Sequence, residues 1–411
     1  MTAERALRRS PSNASRRSHT PLSLRVALRL LDRIRIGTLE LHLPDGTVRR
    51  FEGAEPGPSG VLRLHEPSAL AALLRDGDLG LAEAYMDGLW SSPDLATLLE
   101  LGARNHDALR GVLRSGFLRR CLERLRHRLR DNSRSGSRRN IAYHYDLGND
   151  FYRLWLDPGM TYSCALFARP DTTLEAAQDA KYARLLDLVA PRPGDHILEI
   201  GCGWGGLAIA AATRYGCRVT GLTLSREQLD HARRRVRSLG LEDRIELRLQ
   251  DYRDLRERFD HVVSIEMLEA VGERWWPTYF GTVARCLEPR GRAAIQVITI
   301  ADHAFDDYRR NPDFIQRHVF PGGMLPSPRR LEAESSAAGL RTVHRDFHGR
   351  DYARTLALWD ERFVAALPAI RALGHDERFV RMWRYYLAYC EAGFRTDRVD
   401  LAQVVLEHRG D

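Results

Sequence analysis

Hydrophobic and polar positions change rhythm several times along the chain. "GTLELHLPDGTVRRF" (residues 37–51) alternates around Asp45-Gly46, which predicts a β-hairpin. "VLRLHEP" reads as a further short strand, and "PSALAALLRDGDLGLAEAYMDG" and "SPDLATLLELGAR" as helices with Ser or Pro-Asp starts. Together they predict a small α+β domain over residues 23–109. From residue 141 strands and helices alternate. "HILEIGCGWGG" is a strand and a glycine-rich turn, "LAIAAATRYG" a helix, "CRVTGLTLS" the second strand and "REQLDHARRRVRSLG" the next helix. "RIELRLQDY", "FDHVVSIEM" and "GRAAIQVITI" supply three more strands. Such alternation predicts an α/β fold with a doubly wound parallel sheet. Residues 302–345 read as irregular, and the remainder as aromatic-rich helices such as "RFVRMWRYYLAYCEAGF".

Composition sharpens this picture in three places. The chain has 411 residues, 44% of them hydrophobic, and a formal charge of +8 carried mostly by arginine. That balance favours an acidic partner, whether nucleic acid, an anionic membrane surface or an acidic ligand. Eleven arginines fall within residues 110–139 against two acids, Glu123 and Asp131, while Leu113, Phe117, Cys121, Leu125 and Leu129 recur every four residues. Residues 110–140 are therefore expected to be a basic amphipathic helix and linker. It either packs its stripe on a neighbouring domain or lies on a membrane surface. No base-reading module accompanies it, so nucleic acid is not the expected partner. The first 22 residues are basic and Ser-rich and are expected to be a disordered tail without a secretory core segment. No window is apolar enough to span a bilayer. The six cysteines are scattered without CxxC spacing, which predicts reduced thiols in a cytoplasmic protein and no metal site.

The strongest chemical signal is the turn after the first sheet strand. Glu199 is followed by Gly201, Gly203 and Gly205. Close glycines let a backbone turn tightly against a ligand, as for a dinucleotide or S-adenosylmethionine, or simply make a turn. The carboxylate before the turn, the GxGxG spacing and the dispensable pyrophosphate site favour S-adenosylmethionine. Glu199 then orients either backbone or the ligand's cationic amino group. The second strand ends in Thr223 and Ser225, with Gln228 one turn on, where an acid for ribose hydroxyls is the simple expectation. Gln250 and Asp251 end the third strand, where a side chain reads an adenine edge.

"VVSIEMLEAVG" (residues 262–272) raises a separate question, because Glu266 and Glu269 interrupt an apolar strand end. With it, "YHYDLGNDFYRLWLDPGMTYSCALF", "LEIGCGWGG", "GLTLSREQ", "FIQRHVFPGGMLPS", "DYARTLALWDERF" and "YYLAYCEAGFR" span residues 141–397. In this order they resemble the cyclopropane fatty acid synthase family, which includes the mycolic acid methyltransferases. The resemblance implies a Rossmann-like class I methyltransferase sheet with helical and irregular lipid-site insertions over 141–411, preceded by the N-terminal domain of longer bacterial members. It also implies transfer of a methylene from S-adenosylmethionine to a cis double bond of a phospholipid acyl chain. Tyr162, Ser163 and Cys164 match the segment lining the cofactor and active site. Glu269 and Tyr352 match residues that help hold a bicarbonate base, and Cys390 matches a cysteine assigned to the active site. The family's usual histidine is replaced by Gln296, which donates a hydrogen bond but does not titrate.

The chemistry explains the carboxylates. An alkene is a weak nucleophile and needs a sulfonium methyl held in line. Attack leaves a carbocation, and ring closure removes a proton from the new methyl in a water-poor pocket. Glu269 is expected to take that proton or to anchor the anion that does, with Glu266 among the cofactor-side residues as its partner. A rival outcome shares the first step but loses its proton differently, giving a methyl- or methylene-branched chain. A small-amine methyltransferase and a catalytically dead lipid-binding protein are further alternatives. The expected partner is an unsaturated phospholipid at an anionic membrane surface, reached peripherally from the cytoplasmic side by a monomer or a homodimer.

Overall fold

The computed structural model describes residues 22–113 and 147–410. The expected tail, most of the basic segment 110–140 and His144 lie outside the described residues. In the N-terminal part, β1 (Ile36–His42) and β2 (Val48–Glu52) form the hairpin, with Thr38 opposite Glu52 and His42 opposite Val48. Asp45 Oδ1 accepts from Thr47 N at 2.9 Å, and Gly46 takes the positive φ that this turn requires. β3 (Glu55–Leu64) runs parallel to β1, and β4 (Trp90–Ser91) closes the sheet order β2-β1-β3-β4. The helix Ser68–Met86 breaks at Gly77, whose φ of 65° and ψ of −144° no helix accommodates. Asp94 caps the helix Leu95–Arg104 by accepting from Thr97 N at 2.9 Å, as the Pro-Asp start predicts.

The second sheet contains β5 (His196–Ile200), β6 (Arg218–Thr223), β7 (Ile245–Leu249), β8 (Phe259–Ile265), β9 (Leu287–Ile300), β10 (Leu340–Phe347) and β11 (Val399–His408). Their order is β10-β11-β9-β8-β5-β6-β7. β5 to β9 are parallel, and β11 inserts antiparallel between β9 and β10. Connections leave β5 toward β6 on one side and reach β8 on the other. The crevice beyond its carboxyl end is where such sheets bind ligands.

Two expectations are corrected. The stretch 302–345 is not irregular throughout. It holds the helices Asp302–Arg310 and Pro328–Ala337, the latter capped by Ser327, and then β10. The C-terminal part is not wholly helical, because "VDLAQVVLEH" is β11. Its near-continuous apolar run is the signature of a strand buried on both faces, which periodicity alone does not distinguish from a helix segment.

The two parts share one core. Trp90, Leu70 and Leu98 of the N-terminal part belong to the same buried cluster as Phe151, Trp359 and Trp383. The aromatic ring of Tyr85 lies 5.6 Å from that of Tyr385, and Arg381 donates to the carbonyls of Tyr85 and Trp90. The expected boundary between residues 109 and 141 is therefore a boundary of topology rather than of packing. Trp90 is fully buried and donates its indole N–H to Leu81 O at 2.9 Å. Trp90→Ala should destabilise the chain by ~3–5 kcal/mol. It should shift one common unfolding transition seen by fluorescence and far-UV dichroism. A separate early transition with the remainder unmoved contradicts the shared core.

Candidate active site

Beyond the carboxyl ends of β5 to β8 lies a cavity of about 170 Å³. Gly201, Gly203, Glu199, Thr223, Gln228, Gln250, Asp251, Tyr162 and Ser163 all line it. Gly201 has φ +88°, and a Cβ there would stand 3.0 Å from Met267 Cγ. Gly205 plays another part. It starts the helix Gly206–Arg214 in the left-handed region, and a Cβ would meet Ala232 Cβ at 3.2 Å, so it serves close helix packing rather than the ligand. Ser225 also departs from expectation: its hydroxyl accepts from Gln228 N at 3.2 Å as the cap of the helix Arg226–Ser238. Asp251 faces the cavity with its carboxylate held by Arg253, at 2.9 and 2.6 Å.

Glu199 is buried, and its Oε2 has no hydrogen-bond partner in a cavity wall. Burial raises its pKa to about 8, against the pull of Lys181. An unpartnered carboxyl oxygen of this kind fits the ammonium of the methionine moiety of S-adenosylmethionine. Lys181, which sequence reasoning missed, is fully buried in the helix Leu174–Val189 and donates to Ser163 Oγ at 2.6 Å. Desolvation lowers its pKa to about 8, with Glu266 the strongest opposing charge. A lone lysine on a helix of mixed polarity carries no sequence signal of burial.

A second cavity of about 450 Å³ is lined mainly by apolar groups. Leu39, Leu41, Leu62 and Leu98 of the N-terminal part form one side, and Phe320 and Tyr386 belong to the other. Cys390 lines this wall, and burial pushes its thiol far above the ordinary range. Glu266, Tyr162 and Ala270 line both cavities and so stand where they meet.

Glu266 follows β8 in the left-handed region with φ 49°. Three donors converge on its carboxylate. Cys164 N and Gln296 Nε2 donate to Oε1, each at 2.8 Å, and Tyr352 OH donates to Oε2 at 2.5 Å. Cys164 thus acts through its backbone, and burial and Glu266 keep its thiol protonated. Gln296 is fixed in orientation by a line of amides. Arg184 has only donors, so its Nε meets Gln403 Oε1 at 3.1 Å, and Gln403 Nε2 then meets Gln296 Oε1 at 2.8 Å. This leaves Gln296 Nε2 for Glu266. Gln403 sits opposite Gln296 on β11, the strand the sequence reading missed; a single amide inside an apolar run was its only signal.

Glu269 is placed differently from the expectation that it and Tyr352 hold an anion together. Its Oε1 accepts from Ile298 N at 2.5 Å, its Oε2 is buried without a partner, and it lines only the apolar cavity. Burial first, then the charge of Glu266, raises its pKa to about 8. For Glu266 burial also raises the pKa, but Tyr352, Cys164 N and Gln296 all favour its charged form. The environments separate the two carboxyls: three donors grip Glu266 and oppose the upward pull of burial, whereas Glu269 has one donor and a pKa of about 8. Tyr352 and Gln296, two of the three positions expected around bicarbonate, already donate to Glu266, and Glu269 accepts from Ile298 N, so this site does not fit that anion.

The sheet order and a glycine-lined pocket holding an unpartnered carboxyl oxygen of Glu199 fit an S-adenosylmethionine-dependent methyltransferase of class I fold. Residues 132–404 match the family described as mycolic acid cyclopropane synthetase, and the chain belongs to that family. It is 44% identical over 382 residues to the tuberculostearic acid methyltransferase UfaA1 of Mycobacterium tuberculosis, covering 90% of this chain and 88% of the relative. It is 39% identical over 385 residues to the cyclopropane-fatty-acyl-phospholipid synthase of Escherichia coli K12, covering 89% and 95%. The mycolic acid cyclopropane synthase CmaA1, solved with SAH and CTAB, superposes with a TM-score of 0.62 at 33% identity, covering 66% of this chain and 97% of that one. Among the described residues, no helix is long and apolar enough to cross a membrane, and no cluster of three metal-ligating side chains occurs.

Glu269 has a folded pKa above its value of 4.5 when unfolded. Its contribution to stability is therefore complete below pH 4.5 and is lost as pH rises through about 8. Glu269→Gln should remove this slope, gaining roughly 4 kcal/mol relative to wild type between pH 5 and pH 9. Denaturant unfolding across that range checks it, and parallel pH profiles contradict it.

Proposed function

We propose that the chain methylates a cis double bond in the acyl chain of an unsaturated phospholipid and releases the product as a methylene-branched chain. The observation that carries this reading is the meeting of a glycine-lined cavity and a large, mainly apolar cavity at one side chain, Glu266. S-adenosylmethionine supplies the electrophilic methyl. Glu199 and the Gly201 turn bind its polar end, while the leucine wall takes the apolar chain and excludes water. The alkene's π electrons form the new carbon–carbon bond, which leaves a carbocation on the neighbouring carbon. A 1,2-hydride shift moves the positive charge to the methyl-bearing carbon. Loss of a proton from the methyl then gives a branching C=CH₂ on the chain. Reduction to a saturated methyl branch requires a hydride donor and is no part of this proposal.

Two observations favour the branch. Gln296 and Glu266 replace the expected histidine and bicarbonate arrangement, and the identity to a tuberculostearic acid methyltransferase is 44%. The second reading, a cyclopropane, is favoured by the 39% identity to a cyclopropane-fatty-acyl-phospholipid synthase. It differs only in omitting the hydride shift, so that the same methyl proton leaves as the ring closes. The arginine-rich charge of +8 supports peripheral docking on an anionic membrane from the cytoplasmic side.

Purified protein, methyl-labelled S-adenosylmethionine and vesicles of cis-unsaturated phospholipid should yield label in the lipid fraction. Proton NMR should show vinylidene signals; upfield ring signals select the cyclopropane instead. Absence of label from lipid overturns both readings.

A further inference from the structure

We propose that Glu266 is itself the proton acceptor of the reaction, its carboxylate standing in for a dissolved anion, so that turnover needs no bicarbonate. This rests on the acyl-methylation reading above. Four observations meet here. Glu266 lines both the cofactor cavity and the apolar cavity, at the point where a transferred methyl passes from one to the other. Its carboxylate holds the three donors, Cys164 N, Gln296 Nε2 and Tyr352 OH, that would otherwise grip an oxyanion. Its backbone has φ 49°, a conformation that favours glycine and strains a glutamate. A residue held there against its preference points to a task for its side chain. Finally, the Arg184–Gln403–Gln296 line fixes the amide so that its N–H points at Glu266. A histidine at position 296 would offer a second titrating group, whereas glutamine serves only to hold a carboxylate.

The step balances without a further reactant. One C–H bond of the new methyl breaks, and its electron pair becomes the second bond of C=CH₂, or the ring bond of a cyclopropane. The proton goes to a Glu266 oxygen, and Glu266 returns it to solvent when the product leaves. Glu269, three residues on, lies on the apolar cavity alone and is held by Ile298 N.

The test compares wild type with two variants in buffers stripped of carbon dioxide and in the same buffers with added bicarbonate. Wild type should turn over at the same rate in both. Glu266→Gln should retain S-adenosylmethionine binding by calorimetry and lose ~100-fold or more in kcat. Glu266→Gly relieves the backbone and opens an anion-sized space among the three donors. It should be inactive in stripped buffer and recover part of its rate with bicarbonate or formate. A wild type that stops when bicarbonate is removed overturns the proposal, as does a cofactor-binding Glu266→Gln near full rate. Should Glu266→Gln fail to fold, anion rescue of Glu266→Gly decides, and its failure to respond while binding cofactor counts against the proposal. If wild type labels no lipid under either condition, the acyl-methylation reading fails instead.

Discussion

Two carboxyl groups are buried within three residues of each other at the end of β8, and the rest of the site is arranged around the cost of that burial. A charged carboxylate taken from water is stable only when donors replace its hydration. Glu266 receives three, from a loop backbone, a strand amide and a helix tyrosine. Hydrogen bonds to a charged group contribute about 1.5–3 kcal/mol each, enough together to offset the strained backbone at that position. Glu269 receives a single backbone donor and escapes the cost by holding its proton. Similar side chains three residues apart thus acquire different hydrogen-bond environments.

The donors to Glu266 also tie distant pieces of chain together. Cys164 belongs to the loop after the helix Asn149–Arg153, Gln296 to β9, and Tyr352 to the helix Gly349–Ala365. Gln296 is aimed by Gln403 on the antiparallel strand β11, itself aimed by Arg184. The cofactor pocket depends on the parallel strands and their glycine turn, while the gripping of the carboxylate depends on the antiparallel insertion. The N-terminal part adds something different, a wall of leucines that makes the second cavity deep and apolar. Its helices share a core with the helix Glu377–Arg395, so that wall is rigidly joined to the reaction centre.

Much of this was legible in sequence because local rules carry it. The Asp45-Gly46 hairpin, the Asp94 cap and the strand–turn–helix at Gly201 follow from turn chemistry and periodicity. That Glu199, Thr223, Gln228 and Gln250 line one cavity is legible because strand ends in such a sheet converge on one crevice. Ser225 and Gly205 lie among them in sequence but face local packing, since a cap or a close helix contact uses the same residue types as a ligand site. β11 was missed because its apolar run has no period to read.

The sequence by itself determined the sheet class, the glycine turn, the family and the presence of two carboxylates where a reaction needs one. Tertiary structure alone decided which of them is gripped. That choice depends on donors from residues 164, 296 and 352 arriving at one point, on a glutamine strand pair fixed by a distant arginine, and on the backbone twist at Glu266. Protonation in a buried site is set by the nearest donors and charges in space, and no spacing along the chain encodes those distances.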